Sequence, residues 1–185
     1  MENPYRLVST EEIYRNPWIR VREERVLRRD GGKGLFGIVE MKPGSSVLAL
    51  DDSGFVYLVN EFKYAVQRVT TEVISGGLEP GETPLQTAQR ELKEESGLMA
   101  REWIDLGVID PLTSAILSPN YMFLAAGVTH GAASPDEGED LEIVRRPFRE
   151  TVDMVLSGEI THAASCVLIL KADRILRDRP WYATH

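Results

Sequence analysis

The chain has 185 residues, 43% of them hydrophobic, and a formal net charge of −8 at pH 7; it therefore predicts one ordinary globular domain, with at most a small appended unit. The negative charge argues against a nucleic-acid or anionic-membrane surface, because such a field would repel polyphosphate. A charged, proline-containing start and the lack of a long apolar run predict a cytoplasmic protein without a membrane span.

Two hairpins are predicted in the first third of the chain. Residues 18–29 and 34–41 flank the turn sequence Asp-Gly-Gly-Lys at 30–33, where glycine permits the positive φ of a tight turn. Residues 45–62 carry two apolar, β-branched runs around Asp-Asp-Ser-Gly at 51–54. Both hairpins indicate antiparallel strands.

A short strand over 70–77 is followed by a pattern that changes from period two to helical. Thr83 is suited to the N-cap, Pro84 to the first turn, Gln86 to a capping box and Gly97 to the position after the end. The sequence therefore predicts a helix over 83–97. Its apolar stripe, which can dock on a sheet, consists of Leu85, Ala88 and Leu92.

The rest of the chain alternates strands and helices. We expect strands near 102–110, 119–128 and 141–148, with a polar loop over 133–140 before the last of them. Helices are expected over 149–157 and 162–177, the second with Thr161 as its cap. The predicted fold class is α+β, with antiparallel strands dominant and helices packed outside.

Three carboxylates crowd the last turns of the first helix. Glu91, Glu94 and Glu95 are related as i, i+3 and i+4, which places them on one helix face. Such like-charge pairs destabilise a helix by roughly 0.2–0.5 kcal/mol each. A hard divalent cation, Mg²⁺ or Mn²⁺, would reverse the sign because it takes oxygen ligands. The alternative is a solvated acidic face.

The wider stretch GGLEPGETPLQTAQRELKEESGL, residues 76–98, resembles the signature box of the Nudix hydrolases. By this resemblance Glu82 approaches the metal from the loop. Arg90 would pair with neighbouring carboxylates and hold them in position. The nine matching positions are Gly76, Glu82, Arg90, Glu91, Leu92, Glu94, Glu95, Gly97 and Leu98.

The resemblance implies an α/β/α sandwich around a mixed sheet and cleavage of a nucleoside diphosphate linked to another group. It also implies that Glu91 and Glu95 are the principal ligands of Mg²⁺ or Mn²⁺, with Glu94 as a third. Two or three ions are expected per site. In one Nudix branch the carbonyl before the first box glycine also binds metal, and here that carbonyl belongs to Ser75.

Features outside the box resemble the ADP-ribose and nucleoside-diphosphate-sugar pyrophosphatases. Residues 1–42 are similar to the antiparallel strands with which those enzymes build homodimers, and 43–185 would form the Nudix domain. The segment from Phe62-Lys63 through Glu72 to the box has their layout, and 133–148 resembles their late acidic loop. The resemblance implies a homodimer that hydrolyses ADP-ribose or a related nucleotide sugar to a nucleoside monophosphate and a sugar phosphate.

Further site residues are implied by the same resemblance. Glu139, with Glu137 second, is the candidate late metal ligand or base; the alternative is an acidic solvent loop. Lys63 would meet a phosphate oxygen or else be a surface charge on an edge strand. Glu72 would contact substrate. Trp18 would stack on a nucleobase or else lie in the hairpin core.

Two departures from that branch leave other functions open. Thr113 stands where those enzymes tend to have proline, and Ile74-Ser75 stands where they have Pro-Ala. The alternatives are a Nudix pyrophosphatase acting on nucleoside triphosphates or dinucleotides, a non-catalytic Nudix ligand-binding module, and a non-enzymatic metal-binding protein.

Overall fold

The computed structural model describes residues 2–131 and 141–178. In chain order the strands are β1 (Tyr5–Arg15), β2 (Ile19–Arg28), β3 (Lys33–Met41), β4 (Gly44–Leu50), β5 (Phe55–Lys63), β6 (Arg68–Glu72), β7 (Ile74–Gly77), β8 (Leu98–Met99), β9 (Glu102–Ile109), β10 (Ile116–Leu117), β11 (Asn120–Ala126), β12 (Thr129–His130) and β13 (Leu141–Pro147). The helices are α1 (Pro84–Ser96), α2 (Phe148–Leu156) and α3 (Ala163–Leu176). Within the described ranges, no helix is both long and apolar enough to cross a bilayer.

The chain divides into two compact units. The first comprises Met1–Pro43 and Asp110–Pro119, and the second comprises Gly44–Ile109 and Asn120–His185. The first unit is one sheet in the order β1-β2-β3-β10, antiparallel except for the parallel pairing of β10 with β3. The predicted β2–β3 hairpin is confirmed, and Gly31 at its turn has a φ of 81°. Strand β1 was not predicted.

The second unit contains a mixed sheet in the order β13-β5-β4-β11-β9, in which β11 runs parallel to β4. Successive residues of β4 face opposite sides of this sheet. Leu48 and Leu50 belong to a core with α2 and α3, whereas Val47 and Ala49 belong to a core with α1. The unit is therefore a three-layer α/β/α sandwich, and the α+β class is confirmed.

The predicted single strand over 70–77 is wrong, because the chain breaks into two strands there. β6 pairs with β5, while β7 pairs with β4. Strands β4 and β5 pair with each other at Ala49–Tyr57 and Leu50–Val56, near the hairpin turn. Val73 lies at the break, and its N–H donates to the Ser165 hydroxyl at 3.0 Å instead of to a neighbouring strand.

The ends of α1 follow the predicted capping chemistry. The Gln86 N–H donates to Thr83 Oγ1 at 3.3 Å, and the Thr83 N–H donates to Gln86 Oε1 at 2.8 Å. Gly97 takes the left-handed conformation at the other end, with φ 66°. The predicted apolar stripe of α1 is wrong at one position, because Leu85 is 37% exposed, whereas Ala88 and Leu92 are buried.

The N-cap of α3 is not the residue that was predicted. The N-cap residue is His162, and no side chain caps the helix. Thr161 precedes it and its hydroxyl accepts a hydrogen bond from Arg68 at 2.7 Å. Thr161 was a plausible cap by residue type alone, but its oxygen is directed to a neighbouring strand.

Candidate active site

Arg90 on α1 is the centre of a charge cluster. Its guanidinium donates to Glu82 Oε1 at 2.8 Å, to Glu91 Oε1 at 2.7 Å and to Glu94 Oε2 at 2.9 Å. A further bond reaches the Gly77 carbonyl of β7 at 3.0 Å. The acidic neighbours, with Glu82 foremost, raise the pKa of Arg90, so the cation is permanent. Arg90 therefore joins the loop, the helix and β7.

Glu82 closes the loop before α1. Its carboxylate accepts from the Glu79 N–H at 3.0 Å and from the Thr87 hydroxyl at 2.7 Å, in addition to Arg90. Led by the bond from Arg90, these donors lower the pKa of Glu82 to about 2. The ionised Glu82 carboxylate thus connects the loop to the helix through these hydrogen bonds.

Glu91 packs against the backbone of Gly76. A Cβ placed on Gly76 would lie 1.8 Å from Glu91 Oε1, which no real contact permits. The Glu91 side chain is only 13% exposed and is held by Arg90 from the other direction. Glycine at position 76 therefore leaves the space that the Glu91 carboxylate occupies.

A small cavity of about 20 Å³ lies beside this cluster. The structure brings together there four of the predicted site residues, Lys63, Glu72, Ser75 and Glu95, with the unpredicted Glu61. Glu61 and Lys63 lie two apart on β5, a strand spacing that puts both on one face. That spacing could have identified Glu61 from the sequence as a neighbour of Lys63.

Lys63 supplies the positive charge of the cavity. Burial works against its charged form, but an ion pair with Glu61 and the charges of Glu72 and Glu95 give a net increase in its pKa. Lys63 is therefore an ammonium group among carboxylates. The alternative of a surface charge on an edge strand misplaces the strand, because β5 pairs with β13, β4 and β6. The contact of Lys63 with a phosphate oxygen stays a prediction.

Glu72 is held from two sides at the wall of the cavity. Its Oε1 accepts from the Thr70 hydroxyl at 2.7 Å, and its Oε2 lies 3.2 Å from His162 Nδ1. Sequence reasoning did not find His162, because nothing in a single sequence places residue 162 beside residue 72.

Trp18, Glu137 and Glu139 were also predicted as site residues. Trp18 lies in the first unit, in the bend before β2, and is 75% exposed, so its interpretation as hairpin core is wrong. Glu137 and Glu139, with the loop that contains them, lie outside the described residues. Their predicted role is unaltered.

Oxygen donors of the kind that Mg²⁺ and Mn²⁺ prefer lie against Gly76 and along the cavity. Glu91 lies against Gly76, while Glu95 and Ser75 line the adjacent cavity. Within the described ranges, no three His, Cys, Asp or Glu side chains already converge as a metal-binding group. Arg90 instead forms ion pairs with Glu91 and Glu94. The donor chemistry fits a hard divalent cation.

Comparison with known proteins identifies the class. Residues 41–164 match the NUDIX domain, so the chain belongs to the Nudix family and is a Nudix hydrolase. Residues 5–39 match the nucleoside diphosphate sugar hydrolase N-terminal domain. The predicted family and fold are therefore confirmed. Members of this family generally use divalent metal ions.

Individual relatives cover nearly the whole chain. An "ADP-ribose pyrophosphatase" of Mycobacterium tuberculosis (strain ATCC 25618 / H37Rv) is 28% identical over 91% of this chain and 83% of that protein. Another of the same name, from Bacillus subtilis (strain 168), is 28% identical over 88% of this chain and 89% of that protein. A crystal structure described as an ADP compounds hydrolase shares the fold, with a TM-score of 0.84, 20% identity and 97% of each chain covered.

Proposed function

We propose that this protein is a divalent-metal-dependent hydrolase that cleaves the diphosphate of ADP-ribose or a related nucleoside diphosphate sugar. The products are a nucleoside monophosphate and a sugar phosphate. The observation that carries the proposal is the pairing of a NUDIX domain with an N-terminal segment matching that of nucleoside diphosphate sugar hydrolases. Two relatives named ADP-ribose pyrophosphatase, each matching about nine-tenths of the chain, support the same substrate class.

The carboxylates of Glu91, Glu94 and Glu95 would hold two or three Mg²⁺ or Mn²⁺ ions, together with the Ser75 carbonyl. When bound, divalent ions activate water and neutralise diphosphate charge. Arg90 keeps the Glu91 and Glu94 carboxylates near β7 before any ligand arrives. Gly76 leaves room for Glu91. Glu82 acts through Arg90 and the loop.

Substrate contacts would come from the cavity wall. The Lys63 ammonium would attract a phosphate oxygen as a point charge. The Glu72 carboxylate would accept hydrogen bonds from sugar hydroxyls. Glu139, or Glu137 in its place, would orient the attacking water. Trp18 would stack on the nucleobase with its exposed indole.

A homodimer built through the N-terminal strands is part of the proposal. Strand β1 is exposed along its whole length and carries five exposed large hydrophobic side chains. Such a strand is a partner surface or an aggregation hazard. The residues are Tyr5, Leu7, Val8, Ile13 and Tyr14. The cytoplasmic location stays a prediction from the sequence.

A substrate panel tests the activity. The purified protein, with Mg²⁺ or Mn²⁺, is offered ADP-ribose, GDP-mannose, UDP-glucose, NADH and dGTP, and released phosphate is measured with a coupled phosphatase. We expect the highest kcat/KM for ADP-ribose or another nucleotide sugar, with no activity after chelation. A preference for dGTP or NADH would contradict the substrate class, and no turnover of any compound would contradict the enzyme assignment for these substrates.

Glu95→Gln tests the metal ligands. The substitution keeps size but removes the charge, so we expect kcat to fall by roughly 100-fold or more, the order seen when one electrostatic transition-state contact is lost. The matched control is Lys93→Gln, which changes an exposed charge on the same helix. Near-normal turnover by Glu95→Gln would refute the role of Glu95.

A further inference from the structure

His162 and Ser165, one turn apart at the start of α3, contact the two residues at the break between β6 and β7. His162 Nδ1 lies 3.2 Å from Glu72 Oε2 and 2.9 Å from Ser165 Oγ. Ser165 Oγ accepts from the Val73 N–H at 3.0 Å and is fully buried. One turn of helix therefore binds both the Glu72 side chain and the Val73 main chain.

The two neighbours of Nδ1, Glu72 Oε2 and Ser165 Oγ, favour a proton on that ring nitrogen. The Ser165 hydroxyl, 2.9 Å from Nδ1, can donate or accept, whereas an ionised carboxylate only accepts, so a proton on Nδ1 suits both neighbours. The other tautomer would point the Nδ1 lone pair at Glu72 Oε2 across 3.2 Å. The arrangement therefore favours the Nδ1-protonated form of the neutral ring, in which Nε2 is the nitrogen that gains a proton on acidification.

The surroundings of His162 favour this neutral donor. Burial, together with the charge of Lys63, lowers the pKa of His162, against the opposing effect of Glu72. The charged groups facing it are Glu72 from β6 and Lys63 from β5, and Arg68 bonds to the adjacent Thr161. The imidazole can therefore hold the Glu72 carboxylate without adding a full positive charge beside Lys63.

We propose that His162 is a positioning residue that fixes the Glu72 carboxylate at the cavity wall, so that Glu72 can bind the sugar portion of the substrate. The Thr70 hydroxyl donates to Oε1 and His162 Nδ1 lies 3.2 Å from Oε2, so the carboxylate is contacted from two directions. The remaining acceptor positions are then available to hydroxyl groups of a ligand. The inference rests on the proposed function, since it assigns a purpose to Glu72 within that site.

Kinetics test the inference on the full chain, with the best substrate of the panel. His162→Ala should raise KM about tenfold and leave kcat within about threefold, the scale of one hydrogen bond to a charged group. His162→Asn should recover part of the loss, because its amide N–H can replace Nδ1–H. The matched control is His130→Ala, whose ring packs on Tyr57 with centroids 6.2 Å apart and does not line the cavity.

A double-mutant cycle separates positioning from general damage. If His162 acts through Glu72, then His162→Ala should change KM little further in a Glu72→Ala background. A merely structural role would give the same loss in both backgrounds. An unchanged KM in the single variant, or equal losses in the two backgrounds, would overturn the inference.

Nitrogen NMR of the ¹⁵N-histidine-labelled protein tests the contact without any activity. The resonances missing from His162→Ala identify the ring, which should show the Nδ1-protonated tautomer. Its pKa should fall in Glu72→Gln, because the carboxylate raises it. The Nε2-protonated tautomer or an unchanged pKa would overturn the inference. Failure of the wild-type protein to cleave the panel would instead overturn the proposed function, and the NMR result would still decide the contact.

Discussion

Glu82 shows how the neighbours of one carboxylate can fix both its position and its charge. Its carboxylate is bound by Arg90, by the Thr87 hydroxyl and by the Glu79 N–H. All three donors favour the ionised form, which is why the pKa falls to about 2 from an ordinary 4.5. Protonation of the Glu82 carboxylate should therefore weaken these contacts and lower the stability of the domain.

The stability of the protein should depend on Glu82 at acidic pH. Because the folded-state pKa is depressed, the stabilisation is full above pH 4.5 and is lost as the pH falls toward 2. Urea unfolding between pH 6 and pH 2.5 should therefore show a smaller acid-induced loss for Glu82→Gln than for the wild type. If the two proteins lost the same stability between pH 6 and pH 2.5, the stabilising role of the Glu82 carboxylate would be contradicted. Glu102→Gln, an exposed carboxylate on β9, is the control.

Gly76→Ala should inactivate the enzyme while the domain stays folded. The added Cβ would meet the end of the Glu91 side chain, a flexible group that can turn away, so the carboxylate moves and the backbone stays. We expect a loss in kcat approaching that of Glu91→Gln, with little change in the circular dichroism melting curve. Gly37→Ala, where an added Cβ meets nothing within 4 Å, should retain activity. Full activity of Gly76→Ala would contradict the placement of Glu91.

The residues of the site differ in how far a single sequence reveals them. Glu91, Glu94 and Glu95 were predictable because helical spacing fixes neighbours three and four positions apart. Glu61 was within reach, since strand spacing puts it beside Lys63. His162 was not, because its contact with Glu72 depends on how α3 packs against the sheet, which no local pattern encodes.

At the scale of elements, α1 should lose stability when its cap is removed. Thr83→Ala deletes the hydroxyl that accepts from the Gln86 N–H, so we expect a cost of about 1 kcal/mol in the free energy of unfolding. Thr161→Ala is the control, because Thr161 does not cap α3. Urea denaturation measures both. Unchanged stability of Thr83→Ala would contradict the cap on α1.

Elements were predictable where local chemistry decides them. Helix α1 has a capping box, a proline in its first turn and a terminal glycine, and its bounds were predicted to within a residue. Strand β1 was missed because its eleven residues are exposed on both faces and so lack the alternation of a half-buried strand. The break at Val73 was missed because it arises from the separation of β4 and β5, a tertiary feature.

At the scale of the whole molecule, the exposed β1 predicts self-association. Light scattering after size exclusion should give twice the 20.7 kDa mass of one chain. The double variant Val8→Glu, Ile13→Glu places charge on two residues that are 57% and 56% exposed, so it should yield a monomer without unfolding. Glu11→Gln on the same strand should remain a dimer. A monomeric wild type would contradict the homodimer.

The change of strand partners at Val73 also fixes the distance between two walls of the cavity. Glu72 ends a ladder on β5 and Ser75 lies in a ladder on β4, so main-chain hydrogen bonds determine the gap between these walls. Main-chain hydrogen bonds between paired strands are harder to rearrange than the rotamer of a side chain. If the substrate binds here as proposed, this dimension of the site is already set, and little binding free energy is spent on rearranging the protein.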